Sequence, residues 1–496
     1  MPSFTKKIVV IGAGFAGMSA ATFLAQKGYE VSLLEKHAIA GGRARMFESQ
    51  GFRYDMGPSW YWMPDVFERY FAQFGKRVSD YYELVRLNPS YRIIFGENDI
   101  WNIPAYMHEF SEMLERIEAG SSKKLAKFLA QAAYKYRVGI QDLVYKPSRS
   151  IWEFADSRLL VALFHMDVFQ SMHTHVRRFF KNPKIIQLME FPILFLGALP
   201  ENTPALYSLM NYADIILGTW YPIGGMYEIV KAMQTLAQEQ GVRFYFNQDV
   251  KQIAIRQGKA YKVITQTNDF EADVVVVGAD YHHAETNFLP PEYQSYSEKY
   301  WASRILAPSC LIFYVGLNKK LKNVLHHNLF FDTDFMQHAH EIYTTPRWPQ
   351  NPLFYVSVPS VTDESVAPRG CENLFFLIPT AHDLEDKPEI REHYFKIIID
   401  RFERITGENI RQHIVFQRSY AHNDFKNDYN AFKGNAYGLA NTLTQTAILK
   451  PSLKSKKVKN LFYTGQLTVP GPGVPPSLIS GEVVAKEIAK EYDRWN

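Results

Sequence analysis

Near the start of the chain, Lys7-Ile8-Val9-Val10-Ile11 runs without a gap into Gly12-Ala13-Gly14-Phe15-Ala16-Gly17. The apolar, β-branched run predicts a buried parallel strand. The glycines have the spacing of a tight strand-to-helix turn. Gly12 permits the turn, Gly14 lets backbone approach a pyrophosphate, and Gly17 lets helix and strand pack closely. Met18 to Lys27 reads as a helix that Gly28 stops, and Glu30 to Glu35 reads as the second strand of a βαβ unit. The N-terminus of that helix offers free N–H groups and positive dipole to phosphates. Glu35, at the end of the second strand, has the place of a carboxylate that accepts hydrogen bonds from an adenosine ribose and disfavours a 2′-phosphate. These residues predict a dinucleotide site.

The residues after Glu35 separate the candidate dinucleotides. A second glycine cluster, Gly41-Gly42-Arg43, comes soon after it, with Arg45 beyond. Forked guanidinium donors suit phosphate or carboxylate. A plain nicotinamide dehydrogenase has no need of this loop, whereas an extended FAD running across the sheet does. Near the other end, Gly465-Gln466-Leu467-Thr468-Val469-Pro470-Gly471-Pro472-Gly473-Val474-Pro475-Pro476 precedes a helix expected over 477–492. Prolines stiffen such a loop and glycines free it, so it can set backbone N–H groups against a flavin carbonyl.

Composition narrows the class. The chain has 496 residues, a net charge of +4 and 47% hydrophobic residues, which is a globular composition with several domains and no bulk steering onto nucleic acid. Cys310 and Cys371 are the two cysteines, which excludes a disulfide scaffold and a multi-thiolate zinc site, so no metal is expected. Aromatic residues reach 15%, enough to line a long greasy cavity as well as fill a core. No window has the ~18 apolar residues needed to span a bilayer. The greasiest stretches, Leu159–Phe164 and Phe191–Gly197, read as core, tunnel wall or membrane-surface patch.

The expected fold is α/β: a Rossmann-type FAD-binding domain, a second mixed-sheet substrate domain, and a mostly helical, apolar insertion. The FAD-binding domain is drawn from 1–104, 221–299 and 456–496, the helical insertion from 105–220, and the substrate sheet from 300–455. Helical patterns are expected over 64–75, 107–118, 121–140, 153–172, 183–196, 226–239 and 386–405.

The run Val10 to Gly17, Glu35 with Gly41-Gly42-Arg43, Asp55 with Gly57-Pro58-Ser59, the turn Tyr221-Pro222-Ile223-Gly224-Gly225-Met226, and the ending from Gly465 to Pro475 together resemble the bacterial-type carotenoid (phytoene) desaturases, within the flavin amine-oxidase and protoporphyrinogen-oxidase-like flavoproteins. The resemblance covers nearly all of the chain. It implies non-covalent FAD, a long-chain carotenoid taken from a membrane, and peripheral attachment at the cytoplasmic face. By likeness, Gly12, Gly14, Gly17 and Glu35 hold the adenosine and pyrophosphate half, with Gly41 and Gly42 beside them. Arg43, Gly57 and Pro58 lie along the flavin side, and Gly465, Gly473 and Val474 against the ring end. Gly471-Pro472-Gly473 departs from the glycine-alanine-glycine of many members, and its proline removes one N–H donor.

The implied reaction is FAD-dependent desaturation, first of all of phytoene: an allylic hydride goes to flavin N5 and the neighbouring carbon loses a proton. Positioning carries much of such catalysis, with apolar walls expected mainly from the helical insertion and from Trp60, Tyr61 and Trp62. Asp55, His165, His173 and Glu190 are proton-acceptor candidates by type alone, and no catalytic residue is assigned. No haem or iron–sulfur motif is present, so the electron acceptor is external, oxygen or a quinone. The alternatives are a later-step carotenoid 3,4-desaturase acting on a hydroxylated or one-end-cyclised carotenoid, a carotenoid isomerase or retinoid saturase, a flavin amine oxidase, and a lipid- or prenyl-binding carrier.

Overall fold

A computed structural model describes residues 5–154, 170–442 and 444–492. It has the expected α/β architecture: a parallel sheet, a second mixed sheet and a large helical portion. The parallel sheet has five strands in the order Leu461–Tyr463, Val274–Val277, Lys7–Ile11, Glu30–Leu34, Arg243–Tyr245. Its strands come from the start, middle and end of the chain. Lys7–Ile11 lies at the centre, which explains its unbroken apolar run. Ile8 and Val10 pack on the side of the helices, while Val9 and Ile11 pack against Ile253 and Val263 of a three-stranded antiparallel layer.

Helix Phe15–Gln26 is buried along nearly its whole length, against helix Tyr227–Glu239 and the last helix, Val474–Tyr492. It begins before the expected Met18, because Gly14 already has the extended backbone of an N-cap. The last helix likewise starts at Val474, not 477, and takes Pro475 and Pro476 into its first turn. The N–H groups of a first turn have no intrahelical partner, so prolines there lose nothing. The two helices cross closely at Gly481, where an added Cβ would lie 2.5 Å from the Ala16 carbonyl oxygen. Ser19 Oγ donates to the Leu478 carbonyl at the same crossing, 2.7 Å away.

The second sheet has seven strands in the order Ile414–Tyr420, Ser309–Leu317, Glu372–Thr380, Phe354–Ser357, His327–Phe330, Tyr91–Gly96, Asp99–Ile103. Period-two alternation gives it two apolar faces. Leu311, Phe313, Val315, Leu374, Phe376 and Ile378 pack under helix Pro388–Thr406, through Ile398, Ile399 and Phe402. Ile312, Leu377, Tyr355 and Leu329 are successive register partners on the other face. Tyr91–Gly96 and Asp99–Ile103 join this sheet, although they fall within the 1–104 segment. The cause is the parallel pairing of Leu329 with Ile93, a long-range contact that local composition does not encode.

Helices Met107–Ile117, Ser121–Tyr136, Met172–Arg177 and Pro183–Glu190 belong to the helical portion. The helix expected over 153–172 falls mostly on 155–169, and with it Leu159–Phe164 lies outside the described residues. Phe191 and Ile193, from the other greasy stretch, are buried. Among the described residues, no helix is long and apolar enough to cross a membrane.

Candidate functional site

Four parallel strands end at one cavity. Gly12 and Gly14 follow the first, Glu35 the second, Gly278 to Asp280 the third, and Thr464 with Gly465 the fourth, and all of these line it. Carboxyl ends of parallel strands are where open α/β sheets bind ligands. The cavity measures about 450 Å³ and continues onto the apolar face of the seven-stranded sheet. The N-termini of helices Phe15–Gln26 and Val474–Tyr492 both border it.

The structure brings Gly12, Gly14, Glu35, Gly41, Gly42, Arg43, Gly57, Pro58, Gly465, Gly473 and Val474 to this cavity. Gly17 is not at its wall. A Cβ there would lie 1.9 Å from the Gly12 carbonyl oxygen, so Gly17 lets the helix sit on the turn. The two glycine clusters meet: a Cβ on Gly42 would lie 3.2 Å from the Gly14 Cα, and Gly41 N–H donates to the Ala13 carbonyl at 2.8 Å. Backbone rather than side chain therefore faces the cavity at this corner.

Glu35 is buried, and its carboxylate accepts from the N–H of Ala13 at 2.8 Å and of His37 at 2.9 Å. Each oxygen keeps a lone pair for a further donor. Arg43 Nη2 donates to the Asn435 carbonyl at 3.3 Å. With the Gln466 amide oxygen turned toward it, Arg43 also donates to that oxygen at 2.9 and 3.0 Å. Its Nε has no hydrogen-bond partner among the described residues, and burial lowers its pKa. Arg43 forms no salt bridge among the described residues, whereas Arg45 pairs with Asp428 at 2.6 Å. Asp280, also at the wall, is held by the N–H groups of His283 and Phe432, and burial raises its pKa.

Residues 15–489 match the family described as flavin containing amine oxidoreductase. The chain belongs to that family. It is an FAD-dependent oxidoreductase, and the family whose motifs it carries includes the carotenoid desaturases. It is 40% identical to the carotenoid 3,4-desaturase of Haloarcula japonica over 486 residues, 98% of each chain. It is 33% identical to the zeta-carotene-forming phytoene desaturase of Myxococcus xanthus over 491 residues, covering 97% of this chain and 94% of that one. Among solved structures, an oxidoreductase from Methanosarcina mazei superposes with a TM-score of 0.62 at 17% identity, over 97% of this chain and 100% of that one. That last likeness concerns the fold.

The rest of the flavoprotein's cavity is apolar and aromatic. Its floor is the register row Ile312, Leu377, Tyr355 and Leu329. One wall is helix Phe335–Tyr343, which presents Phe335, His338, Ala339, Ile342 and Tyr343 at helical spacing. Trp60 and Trp62 line it, while Tyr61 points elsewhere and meets Tyr82 OH at 2.9 Å. The helical portion contributes Phe191 and Met210 among the described residues, less than the sequence suggests. A sheet face and a helix face already supply a continuous apolar surface, and the sequence pattern could not show that their second faces were uncovered.

Among the described residues, the proton-acceptor candidates Asp55, His173 and Glu190 are not at the cavity wall. Asp55 accepts from the N–H groups of Met226 and Tyr227 at 2.7 and 2.9 Å and so anchors the start of helix Tyr227–Glu239. Burial pushes its pKa up to about 6. Glu190, pushed up to about 7 by burial, pairs with Arg177, and His173 pairs with Glu201 at 3.0 Å. His165 lies outside the described residues. His338, which sequence reasoning missed, does line the cavity. Its Nδ1 accepts from Leu353 N–H at 2.9 Å, which leaves Nε2–H to donate to the Pro379 carbonyl at 2.9 Å. Burial pushes its pKa down to about 4, so it is neutral and fully engaged.

Proposed function

We propose that this flavoprotein is a carotenoid desaturase acting at the 3,4 bond. The observation that carries the reading is the continuity of one cavity, from the glycine cradle at Gly14 and Gly42 to a floor and walls of aliphatic and aromatic side chains. The 40% identity to a carotenoid 3,4-desaturase over nearly the full length supports that step. Phytoene desaturation, the first expectation from the motifs, becomes the second reading, supported by the 33% relative.

The residues present fit FAD. A bare backbone corner, a buried carboxylate with free lone pairs, a cation without an ion pair among the described residues and two helix N-termini are what its ribose, pyrophosphate and ring carbonyls require. In this reading Gly12 and Gly14 admit the pyrophosphate, Glu35 holds the ribose, and Gly41 and Gly42 close the corner. Arg43, Gly57 and Pro58 flank the flavin, Gly465, Gly473 and Val474 meet its ring end, and Gly17 acts through packing. Bound there, FAD supplies the hydride acceptor. The chain's own contribution is to hold a straight polyene against it, to exclude water, and to set aromatic faces such as Trp60 and Tyr355 beside the carbon that becomes electron-poor. No side-chain base is assigned, and the electrons leave to oxygen or a quinone.

A carotenoid resides in the bilayer, so this reading includes peripheral contact with a membrane, at its cytoplasmic face. Ile305, Ile448 and Leu449 are exposed apolar residues, and Gln445 ties their segments together through two hydrogen bonds to Ile305. The test is product analysis. Holoenzyme is given vesicles carrying phytoene, an acyclic carotenoid saturated at the 3,4 bond, or its hydroxylated form. Desaturation of the latter two and not of phytoene supports the 3,4 step; conversion of phytoene moves the activity to the second reading. A geometric isomer formed only with pre-reduced flavin would overturn both.

A further inference from the structure

A second, smaller cavity adjoins the large one, and Ser59 lines both. The small cavity measures about 20 Å³, and its other polar lining includes Arg53, Asp55, Tyr221, His326 and Ser357. Ser59 and Asp55 are both only half-buried, so each keeps accessible surface where it lines a cavity. A space needs roughly 10–15 Å³ to hold a water, which stays only where two to four polar groups meet it. The small cavity has both the volume and the polar groups, in contrast to the aliphatic and aromatic walls of the large one.

Asp55 is the acceptor at the far side of this space. Its Oδ2 accepts from Met226 N–H and its Oδ1 from Tyr227 N–H, which leaves each oxygen a further lone pair. With a pKa of about 6 it is ionised at neutral pH and ready to take a proton. Tyr221 and His326 are held from outside the cavity, Tyr221 OH by Asp363 at 3.3 Å and His326 Nδ1 by Thr362 Oγ1 at 2.8 Å. Beside Asp55, the partly exposed Arg53 favours the carboxylate. A polar strip therefore leads from the wall of the large cavity toward solvent.

We propose that the small cavity holds one water, and that Ser59, this water and Asp55 carry away the proton that the carotenoid loses. The proposal rests on the desaturase reading. In the step, one allylic C–H bond gives up its hydrogen and electron pair as hydride to the bound FAD. The neighbouring C–H bond breaks, and its electron pair becomes the new double bond. Its proton passes to Ser59 Oγ as the Ser59 proton moves to the water and a proton of the water moves to the Asp55 carboxylate. The carotenoid loses two electrons and FAD gains two, with one proton left on Asp55 for release to solvent. Ser59 meets the substrate, and Asp55 acts through the water.

High-resolution crystallography of the holoenzyme is expected to show one ordered water within hydrogen-bond distance of Ser59 Oγ and an Asp55 oxygen; a small cavity without it overturns the proposal. Kinetics test its use. Single-turnover growth of the lengthened polyene is followed in light and heavy water for wild type, Asp55→Asn, Ser59→Ala and Ser59→Thr. Wild type is expected to slow in heavy water. Asp55→Asn and Ser59→Ala are expected to be slower by about tenfold or more and to lose the solvent isotope effect, which Ser59→Thr restores with its hydroxyl. Rates and isotope effects like those of wild type in both variants overturn the proposal. Should Asp55→Asn lose FAD or fold, because Asp55 also anchors a helix start, the two Ser59 variants decide by the same criteria. Failure of the desaturase reading looks different: wild type then lengthens no polyene, while the water is still seen.

Discussion

Gly14 and Gly17 look alike in the sequence and do different work. A Cβ on Gly14 meets nothing closer than the Gly42 Cα at 4.0 Å, so the apoprotein has room for it and the pyrophosphate path does not. Gly14→Val is predicted to fold and to lose FAD, seen as normal thermal unfolding of the apoprotein and absent flavin absorbance after reconstitution. Retained flavin would remove Gly14 from the cradle. Gly17 has no such room, and its substitution should cost the fold itself. Glu35→Ala should weaken FAD binding by about 1–3 kcal/mol if its bonds to the ribose are desolvated; titration of apoprotein with FAD checks this. Lys450 is a residue the sequence did not single out. It is buried behind the distal loop, where Nζ donates to Asn441 Oδ1 at 2.6 Å and to the Pro470 carbonyl at 3.3 Å. Burial pushes its pKa down to about 7. Between that value and the ordinary lysine value of about 10.4, the unfolded chain holds a proton that the folded chain lacks, so this residue makes stability rise with pH across the window. Denaturant unfolding of wild type and Lys450→Met at the two ends of the window should show wild type gaining on the variant as pH rises. Parallel curves would mean that Lys450 is not desolvated.

At the scale of elements, the first and last helices stand or fall together. Gly481 sits where they cross, 2.5 Å from the Ala16 carbonyl and 2.6 Å from Ala20 N as measured from an added Cβ. Gly481→Val is predicted to destabilise by about 1–3 kcal/mol through overpacking, seen as a lowered thermal midpoint, and to reduce flavin retention because the helix starts move. An unchanged midpoint would show that the crossing has slack. These elements also mark what was legible in the sequence. Strand Lys7–Ile11 could be read from its unbroken apolar run, and helix Tyr227–Glu239 from the stretch that follows Gly224-Gly225, because both signals are local. The start of the last helix was hidden by Pro475 and Pro476, which look like loop residues until their place in a first turn is known. The placement of Tyr91–Gly96 was not legible, since its partner His327–Phe330 is far away in the chain.

For the whole molecule, the glycine corner was legible because backbone geometry demands those residue types in order. The cavity floor was not: Ile312, Leu377, Tyr355 and Leu329 are ordinary strand residues until four strands align them. The described proton-acceptor candidates, chosen by residue type, fell on ion pairs (Glu190, His173) and a helix start (Asp55) for the same reason, since type without packing does not place a side chain. If the proposed membrane contact runs through the exposed apolar residues Ile305, Ile448 and Leu449 as well as through charge, attachment to vesicles is predicted to persist in part at high salt. Complete release at high salt would put the contact on charge alone. The most direct measurement is anaerobic: mix FAD-loaded protein with one equivalent of a carotenoid saturated at the 3,4 bond and follow the visible flavin band together with the polyene spectrum. The account predicts bleaching of the flavin with formation of one equivalent of a polyene lengthened by one double bond. A flavin that stays oxidised with every carotenoid offered would contradict it.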